Sequence, residues 1–438
     1  MLKAKAAVIG FLHNDTMFKK PKYSLSEEDS RSLLRDQRIT PEEPGTILRD
    51  VAALLEAIGL EGVSTSSKQG NLPSGMLPDL NTRLHDPIKL ELKRPLLRDY
   101  PNLAGPYILL RVLGLVRSER SRVCVDEARL ARWQALNPCE QYFALLKTWL
   151  FDAKGEVLGE QSREHGAPCT GALLFLTQAF GKGWTRFEDS IHVYGFSAMG
   201  AVPAWSTQLM MRLGLIELKA RPTQQRSRYT TSKGWIMGKA RRTEWGEAVT
   251  RAIVDQATAM QDTTDFSFWL DLPEMDHALI LQGAFAPFFS EYRNTFDSPE
   301  AEVRRGAYVF KAKYHKHYGP GDVWRELAVP HGTTLHDLHH AVLDAFQFWD
   351  DEHLYEWTAK DRSGRTRSFV HPACEWCPEI DGYADAVKVG ALDLPERGTL
   401  NFTFDYGNTW RFVLKLQRID PPVPELRLIA SHGKSLPQ

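Results

Sequence analysis

From residue 400 to 416 apolar side chains return at every second position: Phe402 and Phe404, then Phe412, Leu414 and Leu416. Only an extended chain puts alternate residues on one face, so this stretch must form a hairpin with one buried side. That side needs a cover. Upstream lie two more strand-like runs, Tyr308 to Tyr314 and Val323 to Pro330, joined by the turn-forming string Tyr318-Gly319-Pro320-Gly321-Asp322. A helix follows, N-capped by Thr333 or Thr334 and running to about Phe346, with His353 to Trp357 as a further strand. Residues 307–420 therefore predict an α+β domain, one main helix on one face of a mainly antiparallel sheet.

Particular residues recur along this stretch: Trp324-Arg325 and Pro330 on the second strand, Leu338-His339 in the helix, then Trp349, His353-Leu354, and Asp405-Tyr406-Gly407 with Trp410. This succession resembles the plasmid pRiA4b ORF-3-like family, carried by plasmids and mobile elements and often labelled TnpR-like. The resemblance implies a bacterial, mobile-element-associated protein and the same α+β fold, but no settled activity. Asn408 stands where the family often has a second acid, and Arg411-Phe412 where Glu-His is frequent. Nothing in the chain supplies serine or tyrosine recombination, so a resolvase activity is not carried over. Trp324, Arg325, His353, Asp405 and Trp410 suit either a ligand or partner cleft at one end of the sheet or a structural knot around the Tyr406-Gly407 turn.

The remainder predicts several segments. Residues 1–44 read as a polar arm, 45–135 as a winged-helix-like unit, and 136–261 as a helical block holding a second such unit. Residues 262–306 read as a connector with its own buried aromatics and 421–438 as a C-terminal tail. The two units rest on an echo. Helix, Leu113-Gly114-Leu115 and an arginine-bearing hairpin are followed a hundred residues later by helix, Leu213-Gly214-Leu215 and another hairpin.

Net charge is −1, so any basic surface must be local. One such run exists: from Lys219 to Arg242 there are eight Lys or Arg and no acid. Lys219, Arg221, Arg226, Arg228, Lys233, Lys239, Arg241 and Arg242 would lie on the second hairpin and the helix after it, along a phosphate backbone. Such contacts position a protein without reading sequence. The competing reading is a solvated face balanced by acids. Arg117, Arg120 and Arg122 form a weaker version in the first hairpin.

Metal chemistry has two candidate strings. His336-Asp337-Leu338-His339-His340 has the metalloprotease His-x-x-x-His spacing, with Asp in place of the catalytic Glu. Its apolar stripe sets His339 at the margin and His336 and His340 towards solvent. His371 with Cys374 and Cys377 offers three zinc ligands, though no second Cys-x-x-Cys accompanies them. Zinc is the conceivable cofactor, and none is the expectation. Nucleophile elbows and phosphate loops are absent.

Five cysteines, an odd number, do not suggest a secreted disulfide framework. No apolar run approaches the roughly 18 residues of a membrane span. The expectation is a cytoplasmic binding protein that contacts nucleic acid, with a protein partner or ligand at the C-terminal domain and no membrane partner. Its rivals are a metal-assisted enzyme using residues 331–377 and a protein-only adaptor.

Overall fold

Both Leu-Gly-Leu strings fold alike. Gly114 and Gly214 sit at φ of 69° and 76°, a left-handed turn that glycine adopts without strain. The following leucine carbonyl then accepts a backbone bond from the residue after the hairpin: Asp126 to Leu115 at 2.9 Å, Thr243 to Leu215 at 3.1 Å. In each case that residue also caps the next helix through its side chain, at Arg129 N and Gly246 N.

The computed structural model describes residues 23–67, 70–90, 92–119, 121–159, 176–177, 181–186, 202–221, 236–261, 275–297, 303–315, 323–348, 353–374 and 380–434. The chain divides into two units, Met1–Arg117 with Ser121–Ser298 and Pro299–Gln438 with Ser118–Arg120. An apolar core lies within residues 34–296 and another within residues 308–416.

The first half of the chain runs α1 (Glu27–Asp36), α2 (Ile47–Ile58), β1 (Val63–Ser64), α3 (Leu77–Arg83), α4 (Pro101–Val112), β2 (Val116–Glu119), β3 (Arg122–Val125) and α5 (Glu127–Gln134). It continues as α6 (Pro138–Lys147), β4 (Thr185–Arg186), α7 (Ala204–Arg212), β5 (Ile216–Arg221), β6 (Ile236–Arg242), α8 (Glu244–Gln261) and α9 (His277–Phe285). The three-stranded sheets have matching orders, β1–β3–β2 and β4–β6–β5, so in both the last strand is central. In both, a helix immediately precedes the hairpin.

Those two helices meet. Every residue of α4 is buried, as expected of a helix that is apolar nearly all round. Against it lies α7, and Gly105 permits the approach: a Cβ there would come within 2.8 Å of the Trp205 carbonyl and of Leu209. Arg212 at the end of α7 pairs with Asp50 of α2 at 2.9 Å, both side chains fully buried. Asp50 also accepts the His85 amide, which helps satisfy a charge taken out of water.

In the second unit the strands are β7 (Ala307–His315), β8 (Trp324–Pro330), β9 (Tyr355–Lys360), β10 (Thr366–Val370), β11 (Gly382–Tyr383), β12 (Thr399–Phe404), β13 (Trp410–Asp420) and β14 (Arg427–His432). They form one sheet in the order β11-β10-β9-β12-β13-β7-β8-β14, antiparallel except for β10 with β11. Among the described residues the one α-helix of this unit, α10 (Leu335–Ala345), lays Leu335, Leu338 and Val342 into its core. The expected α+β architecture holds, and the alternation from 400 to 416 sets its register, with Phe402 opposite Phe412 and Leu400 opposite Leu414.

Three segments differ from expectation. The 1–44 arm contains α1, whose Ser26 caps Asp29 N at 3.0 Å and whose Leu34 is buried. The 262–306 connector contains α9 and is core rather than link: Phe285, Phe289 and Tyr292 pack on Phe143 at ring distances of 4.4, 5.1 and 4.8 Å. The 421–438 tail contains β14, which pairs with β8 from Arg427 to His432.

Candidate functional site

Strand pairing gives the second three-stranded sheet an unusual outer face. Arg186 of β4 is opposite Lys239 of β6, and Lys239 is opposite Lys219 of β5. Residues paired this way point to the same side, and all three are exposed. The opposite face carries Ala240, which is buried in the core. One row of the sheet is thus three cations wide. Like charges directly across strands are destabilising, so the row gains from an anion laid along it.

Beside this row lies Trp184. Lys219 Nζ is 4.2 Å from its ring centroid and the Arg241 guanidinium 5.1 Å, an aromatic platform flanked by positive charge. Neither Arg186 nor Trp184 belongs to the basic run read from the sequence. They are more than thirty positions upstream of Lys219, and only the β4–β6 register brings them in.

The run itself divides. Lys219 and Lys239 are exposed on the sheet. Arg241 is held bidentately by Glu217 at 2.7 and 2.8 Å, so part of its charge is offset. Arg242 is an interior residue. It bonds the Leu176 carbonyl at 2.9 Å and Glu247 at 2.8 Å, both side chains nearly fully buried, and so is withdrawn from any phosphate. Strand β5 ends at Arg221; Arg226, Arg228 and Lys233 lie outside the described residues. In the first hairpin Arg117 pairs with Asp126 at 2.9 Å, and Arg122 bonds the carbonyls of Glu61 and Gly62.

In the C-terminal unit the five cleft candidates do not share one place. Arg325 is buried and its guanidinium serves three carbonyls: Ala345 at 2.6 Å, Trp324 at 2.9 Å and His432 at 2.9 Å. It closes the C-terminal end of α10 and fastens β14, and burial lowers its pKa. Trp324 alternates to the other face of β8, between Lys311 at 3.8 Å and His432 at 5.7 Å. Asp405 has a φ of 52° and makes the turn, accepting from Gly407 N at 2.9 Å and Asn408 Nδ2 at 2.7 Å. Burial would raise its carboxyl, but those bonds, with His353 nearby, more than offset it, and the net direction is downward. Trp410 packs on Phe348 at 4.9 Å, and His353 stands 5.9 Å from Phe404. Arg325 and Asp405 thus have separate structural partners.

Of the zinc candidates, His371 and Cys374 are linked by a backbone bond of 2.9 Å, with the Cys374 thiol buried; Cys377 lies outside the described residues. Among the described residues no helix is long and apolar enough to cross a membrane.

Residues 308–437 match the plasmid pRiA4b ORF-3-like family. The ORF-3-like segment includes β14 at its end, in agreement with the strand's place in the sheet. An uncharacterized protein of Sinorhizobium fredii, y4hQ, is 34% identical over 104 residues, 23% of this chain and 49% of that protein. The match thus spans about half the length of that relative. MM3350, a crystallised protein of unknown function from Methanosarcina mazei Go1, is 20% identical over 30% of this chain and 71% of its own, with a TM-score of 0.25.

Proposed function

We propose that the chain is a mobile-element-associated nucleic-acid-binding protein whose two N-terminal modules are winged-helix units and whose ORF-3-like domain takes a ligand or partner. In this reading the outer face of β4–β6–β5 lies along a phosphate backbone. The supporting observation is the exposed row Arg186–Lys239–Lys219 beside Trp184. The sheet orders β1–β3–β2 and β4–β6–β5, each preceded by a helix, suit the winged-helix assignment. In such units the helix before the hairpin ordinarily reads bases. Here those helices, α4 and α7, are packed against one another, so the proposal assigns no base reading: contact is to phosphate and independent of sequence.

The test is fluorescence anisotropy of the full chain with mixed-sequence duplexes over a salt series. Affinity should fall as salt rises and be indifferent to sequence. Lys219→Glu with Lys239→Glu should weaken binding to every duplex and flatten the log–log salt slope by about 2, close to one unit per lost phosphate contact. A wild-type affinity that is flat against salt, or unchanged in the double variant, overturns the proposal.

A further inference from the structure

Four histidines come together in the C-terminal unit. Helical spacing puts His336, His339 and His340 on one side of α10, and β10 delivers His371 beside them. The rings of His339 and His340 are 4.1 Å apart, those of His336 and His340 4.9 Å, and those of His336 and His371 5.9 Å. One ring nitrogen from each of His336, His339 and His340 falls within 4.8 Å of the others.

We propose that His336, His339 and His340 form a binding site for a divalent transition-metal ion. The hydrogen bonds around the rings support it. His339 Nδ1 lies 3.1 Å from the His336 carbonyl. A carbonyl only accepts, so the proton is on Nδ1 and the lone pair is on Nε2. That is the usual state of a ligating histidine, oriented by a backbone carbonyl behind it. His339 is 1% exposed, under Tyr355 at 4.3 Å and between Phe402 and Phe404, so its ring is fixed in orientation. His336 Nδ1 lies 2.7 Å from the Tyr355 hydroxyl, which can accept its proton in a hydrogen bond and so leave Nε2 for the metal.

His371 has the opposite polarity. Its Nδ1 accepts from Ala373 N at 3.0 Å, so its proton is on Nε2. With Nδ1 occupied by that bond, it is a hydrogen-bond donor at the rim and not a fourth ligand. Asp337 is withdrawn as well: its carboxylate closes a capping box, 2.7 Å from Thr334 Oγ1 and 3.3 Å from Thr334 N. The acid at the metalloprotease base position thus serves the helix terminus.

Three imidazoles and no carboxylate select Zn²⁺, Cu²⁺, Ni²⁺ or Co²⁺ over Mg²⁺ or Ca²⁺. Such a set leaves a coordination position for water or an anion, with the His371 N–H to hydrogen-bond it.

The experiment uses the full chain without a histidine tag, freed of metal by chelator and titrated with Zn²⁺ or Co²⁺ alone by calorimetry and, for cobalt, visible absorption. One equivalent should bind per chain, with cobalt d–d bands that show nitrogen ligation. His336→Gln with His340→Gln, both half-buried positions, should lower affinity more than about 100-fold, and Tyr355→Phe about 10-fold. Asp337→Asn should leave stoichiometry unchanged. Circular dichroism confirms that each variant is folded. If the wild type binds no stoichiometric metal, or the folded double variant binds it equally well, the site does not exist.

Discussion

At the scale of single residues, charge in this protein is spent mostly on the fold. Glu247 shows how. Its carboxylate takes bonds from Ser24 N and Oγ, from Leu25 N at 2.6 Å and from Arg242 at 2.8 Å, and so anchors the chain just before α1. Burial alone would raise its pKa, but the Leu25, Ser24 and Arg242 interactions more than offset this, and the folded value is depressed. A depressed acid stabilises the fold above its unfolded value and loses that contribution as pH falls through the folded one. Urea denaturation should therefore show stability dropping once pH passes below about 4.3, the ordinary glutamate value. At neutral pH, Glu247→Gln leaves Arg242 buried beside a neutral amide and should cost about 3 kcal/mol. In that variant the acid-dependent loss should shrink, and an unaltered acid limb would disprove the assignment.

At the scale of elements, periodicity was legible where one physical signal dominated. Alternation at Phe402, Phe404, Phe412 and Leu414 named the hairpin, and the pair Thr333-Thr334 placed the start of α10, which Thr334 caps. Helix α1 was not legible, because two apolar residues, Leu33 and Leu34, carry its packing in a polar stretch. Its cap signal, Ser26 three residues before Asp29, could have found it. The histidine cluster was half legible. Spacing gave three rings on one helix, but nothing local said that Tyr355 and Phe402 would cover His339, or that β10 would bring His371. The row Arg186–Lys239–Lys219 is a product of strand register, which no single segment encodes. The α4–α7 crossing was equally hidden, and it makes a sharp prediction. Gly105→Ala inserts a methyl at 2.8 Å from the Trp205 carbonyl and Leu209. Overpacking of this kind costs about 1–3 kcal/mol. Thermal melting should show the loss, whereas Gly75→Ala, with open space around its Cβ position, should show little.

At the scale of the whole molecule, the two separate cores imply two folding units. Residues 299–438 produced alone should melt as one cooperative transition. Ending that segment at residue 420 removes β14, unpairs β8 and takes the His432 carbonyl from Arg325. An open strand edge invites pairing with other chains, so the shortened form should melt lower and associate in light scattering. If it stays monomeric and equally stable, β14 is dispensable. The first unit is governed by a different rule. Its two modules share the burial of Pro101–Val112 against Ala204–Arg212, so neither is a finished object without the other. During synthesis the earlier helix leaves the ribosome as a greasy rod whose mate has yet to be translated. For that interval its apolar surface is open to non-native association, so a chain truncated between the two helices should be prone to aggregate.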